Sequence, residues 1–286
     1  MIKITGLFTY PVKSLQGIAL DEAVLTGKGL KFDRNWMITD STGLFITQRL
    51  IPEMATVRVK IDDKALILEH GNTEPLHIAL NGNPGQRVTT TVWGHACEGY
   101  DEGPDASRWL TRVLGRWKGN ELRLLRFAPD FVRPVEPDYM NGQSAATAFA
   151  DGYPFLVTNE ASLGQLNDRL LAGGAEPVPM SRFRANIVIE GLEPFAEDRP
   201  GKLTSTDAAF ELALRKPCKR CKVTTIDQKT GIIEEPKEPL KTLASINRHP
   251  GLSGAFFGQN ATLESGECAI IKVGDRLIWS QKDGET

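Results

Sequence analysis

The densest group of chemically reactive residues lies between positions 215 and 222. This segment reads Arg-Lys-Pro-Cys-Lys-Arg-Cys-Lys, with five basic residues, two cysteines and no acid. Nearby cations favour the thiolate form of a cysteine, and the thiolate is the form that binds metals. The same cations attract phosphate or another anion. The segment therefore predicts an anion-binding site that holds a thiolate, and the alternative is a solvated basic loop with two incidental cysteines.

The cysteine pair Cys218-x-x-Cys221 is open to two other interpretations. A structural zinc site needs four ligands, but the sequence has no second Cys-x-x-Cys and its four histidines are scattered. A thioredoxin-like dithiol opens a helix after a strand, whereas β-branched residues predict a strand over 222–227. Phosphate-binding loops, dinucleotide-binding glycine motifs, nucleophile elbows and zinc-protease helices are all absent from the sequence. An anion-binding thiolate site is the interpretation that remains.

Three further basic residues stand at the ends of predicted strands among aromatic residues: Lys13, Arg34 and Arg184. A cation in such a place is often paired with a neighbouring carboxylate, as Arg34 would be with Asp33. Each of the three is alone a weak indication of a binding site.

Composition describes an ordinary globular protein. The chain has 286 residues, of which 41% are hydrophobic and 24% charged, so it can hold two domains. A net charge of −2 predicts no general attraction to nucleic acid or membrane surfaces. No secretory signal and no apolar run of about 18 residues is present. With only four cysteines, we expect a reducing, cytoplasmic location.

The elements that must position these residues are mainly strands. In the first half, short β-branched or aromatic runs predict strands over 4–10, 36–40, 44–48, 55–61, 65–69, 77–80 and 87–92. A helix is predicted over 105–114 with Asp105 as its N-cap. Three prolines between 128 and 148 indicate a domain junction. Beyond it we predict helices over 159–171 and 240–247 and strands over 185–190, 208–214, 222–227 and 269–273. The expected class is mainly β with some α (α+β).

Five collinear blocks resemble a known family: YPVKSLQG, LKFDRNWMITDSTGLFITQR, SRFRANIVI, PCKRCKVTTIDQKTG and FGQNATLESGECAIIKVGD. They are similar to proteins that join an N-terminal MOSC β-barrel domain to a MOSC (molybdenum cofactor sulfurase C-terminal) domain, including the mitochondrial amidoxime-reducing components and their bacterial homologues. The resemblance implies an N-terminal MOSC β-barrel domain over 1–125 and a β-barrel-like MOSC domain over 126–286. It also implies a cofactor in the cleft between them.

The implied cofactor is a molybdenum cofactor (Mo-molybdopterin). Cys221 matches the family's molybdenum ligand and would be the catalytic residue, while Cys218 stays open between a thiol near the metal and a structural residue. The positions that match residues holding the pterin and its phosphate are Lys13, Ser14, Arg34, Arg184, Asn186, Lys219 and Arg220. Tyr153 matches a position near the cofactor. A soft thiolate suits a transition metal that is also bound to sulfur. The basic residues supply the countercharge for an anionic cofactor.

The implied activity is that of an oxidoreductase that reduces N-hydroxylated compounds such as amidoximes, hydroxylamines and N-hydroxylated bases in reductive detoxification. No iron–sulfur Cys-x4-Cys-x2-Cys run follows the MOSC blocks. Electrons are therefore expected from a separate ferredoxin-like or flavin reductase partner. The alternative is a sulfur carrier or molybdenum-cofactor carrier in which Cys221 holds a persulfide. A redox or zinc-binding interaction module is a third possibility. The family is also linked to pyridoxal phosphate, for which the sequence offers no identifiable Schiff-base lysine.

Overall fold

A computed structural model describes residues 1–82 and 85–281. Within these residues the chain is mostly β with three helices, which confirms the predicted class. The strands are β1 (Ile2–Thr9), β2 (Ile18–Leu20), β3 (Glu22–Thr26), β4 (Gly29–Leu30), β5 (Trp36–Asp40), β6 (Arg58–Ile61), β7 (Ala65–His70), β8 (Thr73–Ala79), β9 (Arg87–Val92), β10 (His95–Asp101), β11 (Leu122–Phe127), β12 (Arg133–Pro134), β13 (Ala146–Thr147), β14 (Phe155–Asn159), β15 (Ile187–Glu190), β16 (Gly201–Ser205), β17 (Glu211–Lys219), β18 (Phe256–Ser265), β19 (Ile270–Lys272) and β20 (Arg276–Gln281). The helices are α1 (Pro104–Leu114), α2 (Glu160–Ala172) and α3 (Leu240–Ile246).

A closed barrel of seven strands dominates the second half of the chain. Its order is β15-β14-β18-β17-β16-β20-β1, and pairing between β1 and β15 closes the ring. The first strand of the chain thus lies between two strands from near its other end, with Ile4 opposite Ile189 and Ile2 opposite Leu277. Buried aliphatic and aromatic side chains fill this barrel. Because β1 belongs to it, the segment that follows β1 is carried directly to the barrel's rim.

The first half forms a half-barrel beside this ring. A four-stranded sheet has the order β5-β11-β10-β9, and β6, β7 and β8 form a three-stranded sheet. The apolar side of α1 covers them, with Trp109 and Leu110 buried against Trp36 and Leu122. The half-barrel and the closed barrel agree with the prediction of an N-terminal β-barrel domain followed by a β-barrel-like domain. The predicted domain boundary between 125 and 126 remains a prediction.

Both long helices lie where the sequence predicted them, although one cap differs. The first begins at Pro104 with Gly103 as its N-cap, so Asp105 is in the first turn and is not the cap. Proline suits the first helical position because it has no N–H to leave unpaired there. At the start of α2, the Asn159 side chain accepts a hydrogen bond from the N–H of Ala161.

Several strand predictions were wrong in whole or in part, and three segments show the reasons. Residues 222–225 form one 3-10 turn, because the Thr224 and Thr225 hydroxyls bond to the carbonyls three residues earlier. The segment 44–48 contributes only an isolated bridge from Phe45 to Thr39. The beginning of 55–61 belongs to the 3-10 helix Pro52–Thr56, for which Pro52 presets the backbone.

The search for β-branched or aromatic runs also missed several strands, including β10, β11, β16, β18 and β20. Nine of the ten residues of β18, for example, are buried or half-buried on consecutive positions, so no alternation marks it as a strand. Among the described residues, no helix has the length and apolar character needed to cross a membrane.

Candidate active site

The basic segment 215–222 divides into two parts with different partners. Arg215 forms an ion pair with Glu264, and Lys216 pairs with Glu136 at 2.5 Å. Lys219, at the end of β17, and Lys222 are exposed and have no salt bridge within the described part of the chain. The available positive charge therefore lies at the C-terminal end of the segment, next to Cys221.

Cys221 is a free and exposed cysteine. It takes the N-cap position of the 3-10 turn Lys222–Thr225, and its backbone carbonyl accepts bonds from both the N–H and the hydroxyl of Thr224. These bonds hold the backbone at Cys221, while the exposed side chain stays available to a ligand.

Arg220 connects Cys221 to the rest of the site. Its Nη1 donates to Sγ of Cys218 at 2.8 Å, and its Nη2 donates to the Phe183 carbonyl at 2.7 Å. The Arg220 Nε–H is buried and has no hydrogen-bond partner among the described residues. Cys218 thus lies against the arginine and packs on Leu156 and Ala185.

The ring of Tyr10 brings two arginines together. The guanidinium carbons of Arg34 and Arg184 each lie 4.3 Å from the centre of this buried ring. Burial raises the pKa of Tyr10, although the charges of Arg184 and Arg34 oppose the rise. A Cβ atom at Gly17 would collide with the ring, so glycine there makes room for it. The electron-rich ring face favours both cations.

Arg34 forms an ion pair with Asp33, as the sequence predicted. Its Nη1 donates to both carboxylate oxygens of Asp33, at 2.7 and 2.8 Å. Asp33 is buried and also accepts the backbone N–H of Tyr10 at 2.8 Å. The Nη2 of Arg34 donates to the Arg184 carbonyl at 3.1 Å. Asp33 therefore fixes Arg34 against the Tyr10 ring.

Arg184 is buried, and its guanidinium is only partly hydrogen-bonded. Its Nη1 donates to the Leu15 carbonyl at 2.7 Å and to Oε1 of Gln228 at 3.2 Å. Its Nη2 is buried and has no hydrogen-bond partner in the described residues. Burial lowers the pKa of Arg184 to about 10. A buried donor left unpaired costs stability, and an anion placed there would remove that cost.

Three residues of the cluster have left-handed backbone conformations: Ser14 (φ 69°), Arg34 (φ 49°) and Arg184 (φ 54°). This region is unfavourable for residues that carry a Cβ, at a cost of about 1–2 kcal/mol each. Such strain concentrates at functional sites, where the surrounding structure holds it. All three residues were candidate ligands from sequence.

Lys13 lies beside a carboxylate. It is buried, and its Nζ donates to the Phe149 carbonyl at 2.8 Å and to Oδ1 of Asp151 at 2.5 Å. Desolvation lowers the pKa of Lys13, and Asp151 offsets part of this. Desolvation also works to raise the pKa of Asp151, but Lys13 outweighs it and holds that pKa well below its ordinary value. Arg133 binds the carbonyls of this segment and keeps Asp151 in place.

A buried pair of amides connects the two halves of the chain at this point. The side chains of Gln48 and Gln228 exchange two hydrogen bonds of 2.9 and 3.0 Å. Gln48 also donates to the Ser14 carbonyl at 2.7 Å. A Cβ at Gly231 would lie 3.2 Å from the Pro52 carbonyl, so the loop after Cys221 packs closely on the first half.

The remaining predicted residues lie elsewhere. The Asn186 side chain donates to the Phe8 carbonyl and accepts from the Leu156 N–H, both at 3.2 Å, and so joins β1 to β14. Tyr153 is buried with Val135 and Met140, and its hydroxyl has no partner among the described residues. Burial raises the pKa of Tyr153 to about 12.

The structure thus brings Lys13, Ser14, Arg34 and Arg184 together. Arg220, the neighbour of Cys221 in the sequence, is bonded to the Phe183 carbonyl beside Arg184. Sequence reasoning missed Tyr10, Gln48, Asp151 and Gln228. Tyr10 stood in a recognised block, but nothing in a linear sequence shows that two distant arginines meet on its ring. Gln48 and Gln228 also stood in recognised blocks, but no local pattern shows that their side chains meet.

Comparison with known proteins agrees with the family resemblance seen in the sequence. Residues 1–117 match the MOSC N-terminal beta barrel domain and residues 145–278 match the MOSC domain. The human mitochondrial amidoxime-reducing component 1 is 34% identical over 95% of this chain and 81% of its own length. The rat mitochondrial amidoxime reducing component 2 is 32% identical over 95% and 81%. The Arabidopsis thaliana molybdenum cofactor sulfurase is 30% identical over 87% of this chain, which corresponds to 32% of the sulfurase.

Two domain matches in the expected order, and a similarity to amidoxime-reducing components that extends over nearly the whole chain, agree with the barrel and half-barrel of the fold. The chain therefore belongs to the family of proteins that combine an N-terminal MOSC β-barrel domain with a MOSC domain.

Proposed function

We propose that this protein binds a molybdenum cofactor and uses it to reduce N-hydroxylated compounds with electrons from a separate redox protein. The observation that carries the proposal is the buried Nη2 of Arg184, which has no hydrogen-bond partner among the described residues and lies in a strained cationic cluster. Arg220, which precedes the exposed Cys221, donates to the Phe183 carbonyl next to Arg184. Buried donors without partners among the described residues, several cations and a free cysteine form the donor set that an anionic, sulfur-bound metal cofactor requires.

In this proposal Cys221 holds the molybdenum, since a thiolate is a suitable ligand for it. Arg184, Arg34 and Lys13 bind the anionic part of the pterin, and the forked geometry of arginine suits its phosphate. Lys219, Arg220 and Ser14 complete the binding site, and Asn186 and Tyr153 support it. When bound, the cofactor supplies the two-electron chemistry that cleaves an N–O bond.

The reaction consumes two electrons and two protons for each N–OH group and releases the reduced nitrogen compound and one water. The chain's own residues bind the cofactor, keep the cationic cluster in place and leave Cys221 open to solvent. A ferredoxin-like or flavin reductase partner supplies the electrons. We place the protein in the reducing cytoplasm, where the four cysteines would stay free, although its similar relatives are named mitochondrial.

Metal analysis and turnover test the proposal together. Protein purified from a host that makes the cofactor is expected to contain about one molybdenum per chain and to reduce benzamidoxime with a chemical electron source. Cys221→Ser is expected to lose both the metal and the activity. Cys268→Ser is a matched control, because Cys268 is also free and exposed but lies in a turn after β18. Full metal content in Cys221→Ser would contradict the assignment of the ligand.

A sulfur-carrier function is the second candidate, and the exposure of Cys221 together with the similarity to molybdenum cofactor sulfurases favours it. In that case Cys221 would carry a persulfide. Metal-free protein with about one labile sulfur per chain, lost on cyanide treatment and absent from Cys221→Ser, would support the carrier over the reductase.

A further inference from the structure

The tip of the hairpin between β9 and β10 has an unusual composition. Val92 pairs with His95, so the turn consists of Trp93 and Gly94 alone. Both have positive φ, 53° and 84°. Such two-residue turns favour Asn-Gly, and a bulky residue at the first position is strained. Asparagine would suit this turn better than tryptophan. The turn geometry therefore does not explain why Trp93 stands there, and its side chain is the remaining reason.

The Trp93 ring is held on three sides and remains 42% exposed. Its Nε1–H donates to Oδ1 of Asp151 at 2.9 Å. The Phe45 ring meets it at 85°, with the ring centres 4.8 Å apart. The guanidinium carbon of Arg49 lies 4.0 Å from the centre of the Trp93 ring. The indole therefore holds a guanidinium over its ring face at the surface.

Arg49 is exposed and forms no salt bridge within the described part of the chain. Its neighbour Gln48 is anchored to the Ser14 carbonyl and to Gln228, so the backbone that carries Arg49 is fixed. Leu50 on the other side is also exposed. A planar cation that is oriented but has no acidic partner can stack on a second planar group.

This pair is directly linked to the candidate active site. The same Oδ1 of Asp151 accepts bonds from Trp93 and from Lys13. The Lys13 Nζ lies 6.0 Å from the centre of the Phe45 ring. The Arg49–Trp93 pair therefore stands at the rim of the cluster that is proposed to bind the cofactor.

We infer that Arg49 and Trp93 form a substrate-binding platform that selects planar aromatic N-hydroxylated compounds. The aromatic ring of the substrate stacks on the guanidinium that Trp93 holds. This inference rests on the proposed reductase function and adds a preference for aromatic over aliphatic substrates. Neither residue takes part in the chemistry.

The test compares Trp93→Asn with the wild type on two substrates. Asparagine suits the turn, so the hairpin is expected to keep its stability. Loss of the platform is expected to raise the KM for benzamidoxime about tenfold and to leave its kcat and the KM for acetamidoxime unchanged. Arg49→Gln is expected to do the same. Equal changes for both substrates, or no change for either, would overturn the inference.

A binding measurement keeps the inference testable if the wild type reduces neither substrate, a result that would count against the proposed function alone. Benzamidoxime is expected to quench the tryptophan fluorescence of the wild-type protein and of the control Trp117→Phe. It is expected to bind Trp93→Asn and Arg49→Gln about tenfold more weakly in calorimetry. Unaltered binding to both variants would refute the platform.

Discussion

Arg34 donates from Nη2 to the backbone carbonyl of Arg184, and the guanidinium carbons of both residues lie 4.3 Å from the centre of the Tyr10 ring. Two cations held this close repel each other, and within residues 1–82 and 85–281 only Arg34 has a carboxylate partner, Asp33. The ring face and that carboxylate offset the repulsion in part. The remaining positive charge makes this cluster a candidate anion site.

Substitution of Tyr10 tests whether the ring organises the cluster. Tyr10→Phe keeps the ring and is expected to retain cofactor and stability. Tyr10→Leu removes the π face from both arginines and is expected to lower the free energy of unfolding by about 1–3 kcal/mol and to reduce molybdenum content. Urea denaturation and metal analysis measure both effects. Identical behaviour of the two variants would show that the ring face is unimportant.

Arg184→Lys tests the unpaired guanidinium nitrogen. Lysine keeps a charge but cannot reach the Leu15 carbonyl, Gln228 and an anion with separate nitrogens. We expect the protein to fold and to retain about tenfold less cofactor during dialysis. Arg126→Lys is the control, since the Arg126 guanidinium pairs with Glu102 and donates to the Ala79 and Leu80 carbonyls. Equal retention by both variants would argue against a binding role for Arg184.

The amide pair Gln48 and Gln228 is expected to couple the two halves of the chain. Either alanine variant leaves the other buried amide without its partner and should lower the free energy of unfolding by about 1–3 kcal/mol. The double variant should lose less than the sum, with a coupling of about 1–2 kcal/mol. A denaturation double-mutant cycle measures this. Additive losses would mean that the two amides do not stabilise each other.

Glu197 is expected to make stability depend on pH. It is fully buried and accepts hydrogen bonds from Ser162, and burial raises its pKa from 4.5 to about 7. Between these values the folded protein binds a proton that the unfolded chain has lost, so stability falls as pH rises from 4.5 through 7. The resulting decrease in the free energy of unfolding is at most about 3 kcal/mol.

Glu197→Gln removes this ionisation and should flatten the unfolding free energy over the same pH range, as measured by urea denaturation at a series of pH values. Glu176→Gln serves as control because Glu176 is exposed. A wild-type profile that already lacks the decline would count against the raised pKa.

Local patterns account for the parts of the fold that were predicted correctly. The period of apolar residues located α1 and α2, and short β-branched or aromatic runs located β1, β5 and β9. These signals act over a few residues. The turn at 222–225 was misjudged because threonine hydroxyls bonded to nearby carbonyls, which overrides a β-branched preference.

The sequence by itself determined the mainly β class, the family and the basic segment around Cys221, because each is written in residue types and short spacings. Only the tertiary structure decided which residues meet. Arg34 and Arg184 are 150 positions apart, and Gln48 and Gln228 are 180 apart. Their contacts exist because β1 closes a barrel with strands from the far end of the chain. Pairing over such distances depends on the register of the whole sheet, which no local pattern encodes.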